Sequence, residues 1–290
     1  MTPGDEADPG GSRGRVGHWT KEAPVSAGGT PQSRGGDRTH SPALTPEFSP
    51  SWLRPLVDNV PAVPDVYRRR LPADVLAMVT AAKTAANLGK NRRDAAVLVL
   101  FSGPPSSQAN GAPPDDADLL LTVRAATLRH HAGQAAFPGG ASDPGDDGPV
   151  ATALREAREE TGIDPDRLHP LTTLERMFIA PSGFHVVPVL AYSSDPGPVA
   201  VVNQAETAIV ARVPVRAFIN PANRLMVYRR TLSRRFAGPA FLLNEMLVWG
   251  FTGQVISAML DVAGWAKPWD TSDVRELDDA MALVGDEGDA

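Results

Sequence analysis

The sequence predicts an α/β fold, because strand-like and helix-like segments alternate along it. Residues 94–101 form a short apolar run rich in β-branched residues and closed by turn residues, as in a buried strand. Residues 149–162 begin with proline and end with glycine, which are favoured at the start and end of a helix. The 290 residues are 42% hydrophobic and 21% charged, a composition that supports one sizeable core.

The first 50 residues differ in composition from the rest. They hold 9 glycines and 7 prolines, and such a stretch buries too little side chain to offset the entropy of ordering, so we expect a disordered leader. Residues 51–92 are predicted to form a helical N-terminal extension, with an alanine-rich helix at residues 71–86. Apolar residues recur there at helical spacing: Trp52, Leu53, Leu56, Val57 and Val60.

Residues 93–265 are predicted to form the main domain. Residues 242–249 fit a strand or a helix, and residues 252–263 favour a helix. After them, residues 266–290 are rich in acids and are expected to be a solvated tail. Strands are predicted at residues 94–101, 119–124, 171–179, 184–192 and 208–213.

Composition also argues against several classes of protein. The 28 lysine and arginine residues and the 34 acidic residues give a net charge of −6, which disfavours electrostatic binding of the whole chain to nucleic acid. The absence of cysteine excludes disulfides, thiol catalysis and cysteine-ligated metal sites. No run reaches the roughly 18 apolar residues of a membrane span, and no secretory signal is evident. We therefore expect a cytoplasmic protein without nucleic-acid or membrane partners, of open oligomeric state.

Three carboxylates share one side of the helix predicted at residues 149–162. Glu156, Glu159 and Glu160 fall within an arc of about 100° on a helical wheel. Like charges at this spacing destabilise a helix, and more so near its C-terminal end. A solvated face neutralised by Arg155 and Arg158 is one interpretation. The other is a site for a hard divalent cation, which prefers several oxygen ligands.

The residues around this helix resemble a known family. Residues 155–163, Arg-Glu-Ala-Arg-Glu-Glu-Thr-Gly-Ile, are similar to the second half of the Nudix box, Arg-Glu-U-x-Glu-Glu-x-Gly-U, in which U is aliphatic. The first half departs from the box: counting from Gly140, one residue is inserted, and Asp146 stands where glutamate is expected. The segment Leu120-Leu121-Thr122-x-Arg124-Ala125, with Arg129, Gly133 and Phe137-Pro138-Gly139-Gly140, resembles the signature of the coenzyme A pyrophosphatase branch. Residues 249–252, Trp-Gly-Phe-Thr, also resemble that branch.

The resemblance implies an α/β/α sandwich with a mixed sheet and a metal-dependent hydrolysis. Glu156, Glu159 and Glu160 would hold Mg2+ or Mn2+, and a metal-activated water would attack phosphorus. Glu156 and Glu206 are the two candidates for the general base, and a plain surface acid is the alternative for Glu206. Arg155 is expected to anchor a box carboxylate.

The resemblance also implies a substrate. Arg124 and Arg129 would contact the phosphates of coenzyme A, although either could instead form a structural ion pair. His130 and His131 are expected to face solvent. The implied products are adenosine 3′,5′-bisphosphate and 4′-phosphopantetheine. The alternatives are ADP-ribose, a dinucleotide or a nucleoside triphosphate as substrate, or a nucleotide-binding regulator without activity.

Overall fold

The computed structural model describes residues 42–88, 93–106, 111–125, 133–179, 182–231, 234–244 and 246–284. The expected leader up to residue 41, and Arg129, His130 and His131, lie outside the described residues. The strands are β1 (Arg93–Ser102), β2 (Asp118–Arg124), β3 (Ala135–Ala136), β4 (Gly139–Ala141), β5 (His169–Thr173), β6 (Met177–Ile179), β7 (Phe184–Ser193), β8 (Thr207–Pro214), β9 (Arg224–Thr231), β10 (Arg234–Leu243), β11 (Met246–Val248) and β12 (Val274–Glu276). The α-helices are α1 (Arg54–Val57), α2 (Val63–Arg69), α3 (Ala73–Leu88), α4 (Gly148–Thr161), α5 (Val215–Ile219), α6 (Gly250–Val262) and α7 (Leu277–Ala282).

The described strands form two sheets, and the larger one is mixed. Its eight strands include the order β3-β2-β1-β7-β5, in which β1 and β7 are parallel and the other neighbours are antiparallel. Alternate residues of β1 face opposite sides of the sheet. Leu98 and Leu100 pack in the cluster that contains the apolar face of α4, whereas Val99 and Phe101 pack in the cluster that contains α6 and the N-terminal segment. The α/β/α sandwich is therefore confirmed.

The N-terminal extension packs on the second of these faces. Trp52 is fully buried, its ring lies about 6 Å from those of Phe101, Tyr192 and Trp265, and its Nε1–H donates to the carbonyl of Pro104 at 2.9 Å. The helical character is confirmed, but before α3 it comes as short helices. Prolines in their first turns explain this, because proline starts a helix readily and interrupts a preceding one.

Residues 42–50 depart from the expected disordered leader. The backbone N–H of Thr45 donates to the carbonyl of Pro170 at 2.7 Å, and the ring of Phe48 stacks on that of His169 at 4.1 Å between centroids. These contacts at the β5 edge offset the ordering entropy that the glycine and proline content alone would leave unopposed.

The second sheet has the order β11-β10-β9-β12 and packs against α6 and α7. Residues 242–249 thus lie mainly in strands, and the helix predicted at residues 252–263 is confirmed as α6. The single strand predicted at residues 171–179 is wrong, because β5 and β6 pair separately with β7. The pattern did not assign β9 or β10. No described helix is long and apolar enough to cross a membrane.

The solvated acidic tail is wrong for residues 274–282. Strand β12 pairs in parallel with β9, and α7 follows it directly. Leu277 and Ala280 are buried in a small core with Leu225 and Val227. Apolar residues three apart on α7 gain this burial, while the acids between them stay outside the core.

Candidate active site

Helix α4 carries the predicted carboxylates and has the predicted ends. It begins at Gly148 with Pro149 in its first turn, and it stops at Gly162, whose φ of +69° is the left-handed conformation that glycine adopts easily. One face of α4, including Ala153 and Ala157, is fully buried against the larger sheet. The acidic residues are consequently presented along the neighbouring face, at the side of β4.

Two glycines in β4 receive two of these carboxylates. The backbone N–H of Gly139 donates to Glu160 Oε2 at 3.2 Å. A Cβ on Gly140 would lie 2.5 Å from the Glu156 carboxylate, so that carboxylate packs directly on the glycine backbone. At Gly139, which has a φ of +155°, an added Cβ would lie 2.4 Å from the carbonyl oxygen of Ala96. Glycine is required at Gly139, where the backbone of β1 is in the way, whereas a side chain at Gly140 would displace the Glu156 carboxylate from its place.

Glu160 is the most perturbed acid of this group. Burial, and to a smaller extent the negative charges of Glu156 and Glu206, raise its pKa to about 7. The N–H of Gly139 and the positive charge of Arg124 act in the opposite direction. The structure therefore brings these charged side chains within electrostatic reach of one another.

Arg155 holds the acids of the turn and of the helix together. It donates two hydrogen bonds of 2.9 Å to the two carboxylate oxygens of Asp146. Its Nη1 also donates to Glu156 at 3.0 Å and to Glu159 at 3.2 Å, and its Nη2 donates to the carbonyl of Ala141 at 3.0 Å. One guanidinium thus fixes the loop before α4 to the acidic face of the helix.

Asp146 is an anchor that the sequence pattern left without a role. Its side chain is only 3% exposed, and the bidentate contact with Arg155 lowers its pKa to about 2. The hydroxyl of Thr152 and the backbone N–H of Asp143 also donate to it at 2.9 Å. The sequence could have pointed to this residue, because an aspartate stands where the family pattern has a glutamate. Thr152 carried no such signal.

The remaining predicted residues approach the site from β2 and β8. These strands pair so that Arg124 is opposite Thr207, and the N–H of Ala125 donates to the carbonyl of Glu206 at 2.9 Å. The side chain of Glu206 is exposed. Nε of Arg124 is buried and has no hydrogen-bond partner among the described residues.

Known proteins are similar to this chain over part of its length. Residues 105–236 match the model of the NUDIX domain. The chain is 36% identical over 171 residues to an uncharacterized Nudix hydrolase, NudL, of Photorhabdus laumondii, covering 58% of this chain and 84% of that protein. A NudL of Yersinia pestis is 32% identical over 168 residues, covering 57% of this chain and 77% of the relative.

The chain belongs to the Nudix hydrolase family. A solved Nudix hydrolase of M. smegmatis, RenU, aligns with it at a TM-score of 0.40 and 20% identity, covering 62% of this chain and 90% of RenU.

Nudix hydrolases generally use divalent metals, and the donors of this Nudix hydrolase suit such ions. Carboxylate oxygens are the ligands that Mg2+ prefers, and a cation would stabilise the charged form of Glu160, whose pKa is raised mainly by burial and in part by Glu156 and Glu206. In the part of the chain that the structure describes, however, no three His, Asp or Glu side chains are gathered closely enough to hold a metal as they stand. Glu159 is the outlying acid, because its side chain is 59% exposed and turned toward Arg155.

Proposed function

We propose that this Nudix hydrolase cleaves the pyrophosphate bond of coenzyme A or its thioesters. The products would be adenosine 3′,5′-bisphosphate and 4′-phosphopantetheine. The observation that carries the pyrophosphatase chemistry is the placement of Glu156 and Glu160 against Gly139 and Gly140 of β4, with Glu160 within electrostatic reach of Arg124. The choice of coenzyme A rests on the resemblance of residues 120–140 to that branch of the family.

Three acids on α4 would hold the divalent cation. Glu160 is the central ligand in this proposal, because its carboxylate accepts a hydrogen bond from the N–H of Gly139 and the charges of Glu156 and Glu206 both act on it. Glu156 and Glu159 share Nη1 of Arg155, which keeps both acids beside the same turn. When bound, Mg2+ or Mn2+ offsets charge on the pyrophosphate and lowers the pKa of a bound water.

Proton removal falls to Glu206 or Glu156 in this proposal. Glu206 is exposed and acts electrostatically on Glu160 from the turn before β8, so a water between the two could reach it. Glu156 accepts a hydrogen bond from Arg155 at 3.0 Å, which lowers its pKa, but burial raises that pKa more, so the net shift is upward. We assign the proton to Glu206 because its side chain is exposed, and the cation to Glu156 because its charge acts directly on Glu160.

Arg124 would bind a phosphate of the substrate. Its buried Nε–H has no acceptor among the described residues, and a guanidinium pairs well with phosphate oxygens. Arg129 is proposed for the same task on the strength of the sequence pattern alone.

Product analysis tests this function. Purified protein would be incubated with coenzyme A, ADP-ribose or NADH, each with Mg2+, with Mn2+ or with chelator, and the products identified by mass spectrometry. We expect adenosine 3′,5′-bisphosphate from coenzyme A and only with metal. Cleavage of the other substrates alone would refute the coenzyme A assignment, and cleavage of none would refute the activity.

Labelled water and one pair of variants refine the same experiment. In H2(18)O the label reports which phosphorus is attacked. Arg124→Met should raise KM for coenzyme A by about tenfold. Arg176→Met, which removes an arginine that is 43% exposed, is the matched control and should leave KM unchanged. Equal KM values in the two variants would remove Arg124 from substrate binding.

A further inference from the structure

A second charged cluster lies on the opposite face of the larger sheet from α4. Arg224, at the start of β9, is only 4% exposed, and its Nη2 donates to Ser257 Oγ of α6 at 2.6 Å. Arg70, just after α2, donates to the backbone carbonyl of Ser257 at 3.4 Å and forms an ion pair with Asp261. Both guanidiniums therefore converge on Ser257. We call these four residues the arginine cluster.

The arginine cluster has more donors than acceptors. Among the described residues, Nε and Nη1 of Arg224 and Nη1 of Arg70 are buried and have no hydrogen-bond partner. Asp261 is the one carboxylate within the described residues whose charge acts on Arg224, and it is already paired with Arg70. Two positive charges thus face one negative charge, and three buried N–H-bearing nitrogens remain unused.

Two aromatic rings hold the Arg224 guanidinium in place. Its Cζ lies 4.5 Å from the ring centroid of Trp269 and 5.4 Å from that of Phe241. Burial, with a smaller contribution from the positive charge of Arg70, lowers the pKa of Arg224 to about 10 against the opposing effect of Asp261. The side chain is still protonated at neutral pH, so the positive charge persists inside the protein.

A folding role alone does not account for this arrangement. A buried charge without a partner costs several kcal/mol, and an apolar side chain of similar volume serves a core equally well or better. An arriving anion would supply the missing acceptors. The side chains of Arg70 and Asp261 are 25% and 39% exposed, so the cluster is open to solvent on that side.

We propose that the arginine cluster binds a phosphate group. Two guanidiniums and one hydroxyl offer donors from several directions, which suits the tetrahedral oxyanion better than a planar carboxylate. The phosphate is either inorganic phosphate or the terminal group of a phosphate monoester. This site is separate from the candidate active site and does not depend on the function proposed for it.

Calorimetric titration of the full chain tests the site. Inorganic phosphate and glycerol 3-phosphate would be titrated separately into metal-free protein in chelator, at constant ionic strength, with chloride as the blank. We expect saturable binding of at least one of the two, and which one binds identifies the source of the phosphate. No binding of either at millimolar concentration would overturn the proposal.

Matched variants locate the binding. Arg70→Met should raise the dissociation constant by about tenfold, because it removes half of the positive charge. Arg68→Met removes a neighbouring arginine of α2 that pairs with Asp65 and Glu175 at the surface, and it should leave binding unchanged. Equal affinities in the two variants would place the phosphate elsewhere and overturn the assignment.

A third variant keeps the proposal testable if the Arg70→Met protein does not fold. Asp261→Asn keeps both arginines and removes the carboxylate that competes with the anion, so phosphate should bind severalfold more tightly. Circular dichroism and thermal melting would confirm that each variant is folded. Unchanged or weaker binding in a folded Asp261→Asn protein would contradict the proposal.

Discussion

Two regions of the molecule carry an excess of charge of opposite sign: the acidic region, formed by the carboxylates around α4, and the arginine cluster. On the α4 face of the larger sheet, a single guanidinium, that of Arg155, contacts the carboxylates of Asp146, Glu156 and Glu159. On the opposite face, the guanidiniums of Arg70 and Arg224 face one carboxylate. Burial is the main cause of the raised pKa of Glu160 and of the lowered pKa of Arg224, and like charges nearby, Glu156 and Glu206 in one case and Arg70 in the other, add to each shift.

This difference shows how charge imbalance can indicate the sign of a ligand. A protein that only needs to fold pairs its buried charges or replaces them with apolar groups. The acidic region retains acids beyond those that Arg155 can pair, as expected where a cation binds. The arginine cluster retains unused donors, as expected where an anion binds. Four predictions test whether the two regions behave as such a pair.

The largest effect is expected from Glu160→Gln in the acidic region. Loss of the central carboxylate should lower metal-dependent turnover by about 10²- to 10³-fold, since the charge that fixes the cation is gone. Steady-state rates with Mg2+ and with Mn2+ measure this. Glu175→Gln, at an exposed acid that pairs with Arg68, is the control and should keep full activity. A fully active Glu160→Gln protein would remove Glu160 from the ligand set.

The second prediction compares the two kinds of arginine directly. Arg155→Met should lower the free energy of unfolding by roughly 3 kcal/mol, because it leaves the buried Asp146 carboxylate unpaired. Arg224→Met, in phosphate-free buffer, should stay within about 1 kcal/mol of the unmodified protein, since that charge has no full partner. Urea denaturation of metal-free protein measures both. Equal losses in the two variants would abolish the contrast between the regions.

The third prediction concerns pH and Asp146. Its folded pKa of about 2 lies below its unfolded value near 4, so its contribution to stability is present above about pH 4 and is lost as pH falls through 2. Asp146→Asn should therefore cost roughly 2 kcal/mol at pH 6 and progressively less below pH 4. Asp143→Asn, at a side chain that is 66% exposed, is the control. A cost that does not vary with pH would contradict the ion-pair explanation.

The acidic region could largely be predicted from sequence because its contacts are local. The ends of α4, the arc of three glutamates and the anchoring role of Arg155 all follow from residues within one segment, 139–162. The approach of Glu206 to Arg124 depends on the pairing of β2 with β8, whose register no local pattern specifies.

The arginine cluster could not be predicted from sequence. Arg70 and Arg224 are far apart in the chain, and they meet only because α2 and β9 both pack on α6. Residues 274–282 were misjudged for a related reason. Their acids are conspicuous in the sequence, whereas the burial of Leu277 depends on a distant partner, β9.

The smallest expected effect reports the raised pKa of Glu160, which burial causes in the main and Glu156 and Glu206 in part, without any substrate. Its folded pKa of about 7 exceeds its unfolded value near 4, so its contribution to stability is full below pH 4 and is lost as pH rises through 7. In chelator, Glu160→Gln should therefore melt about 2–4 °C above the unmodified protein at pH 8.5 and closer to it at pH 5. Added Mg2+ should reverse the order at pH 8.5, because only the unmodified protein gains the cation. If Mg2+ raised both melting temperatures equally, the excess charge of the acidic region would not be what binds the metal.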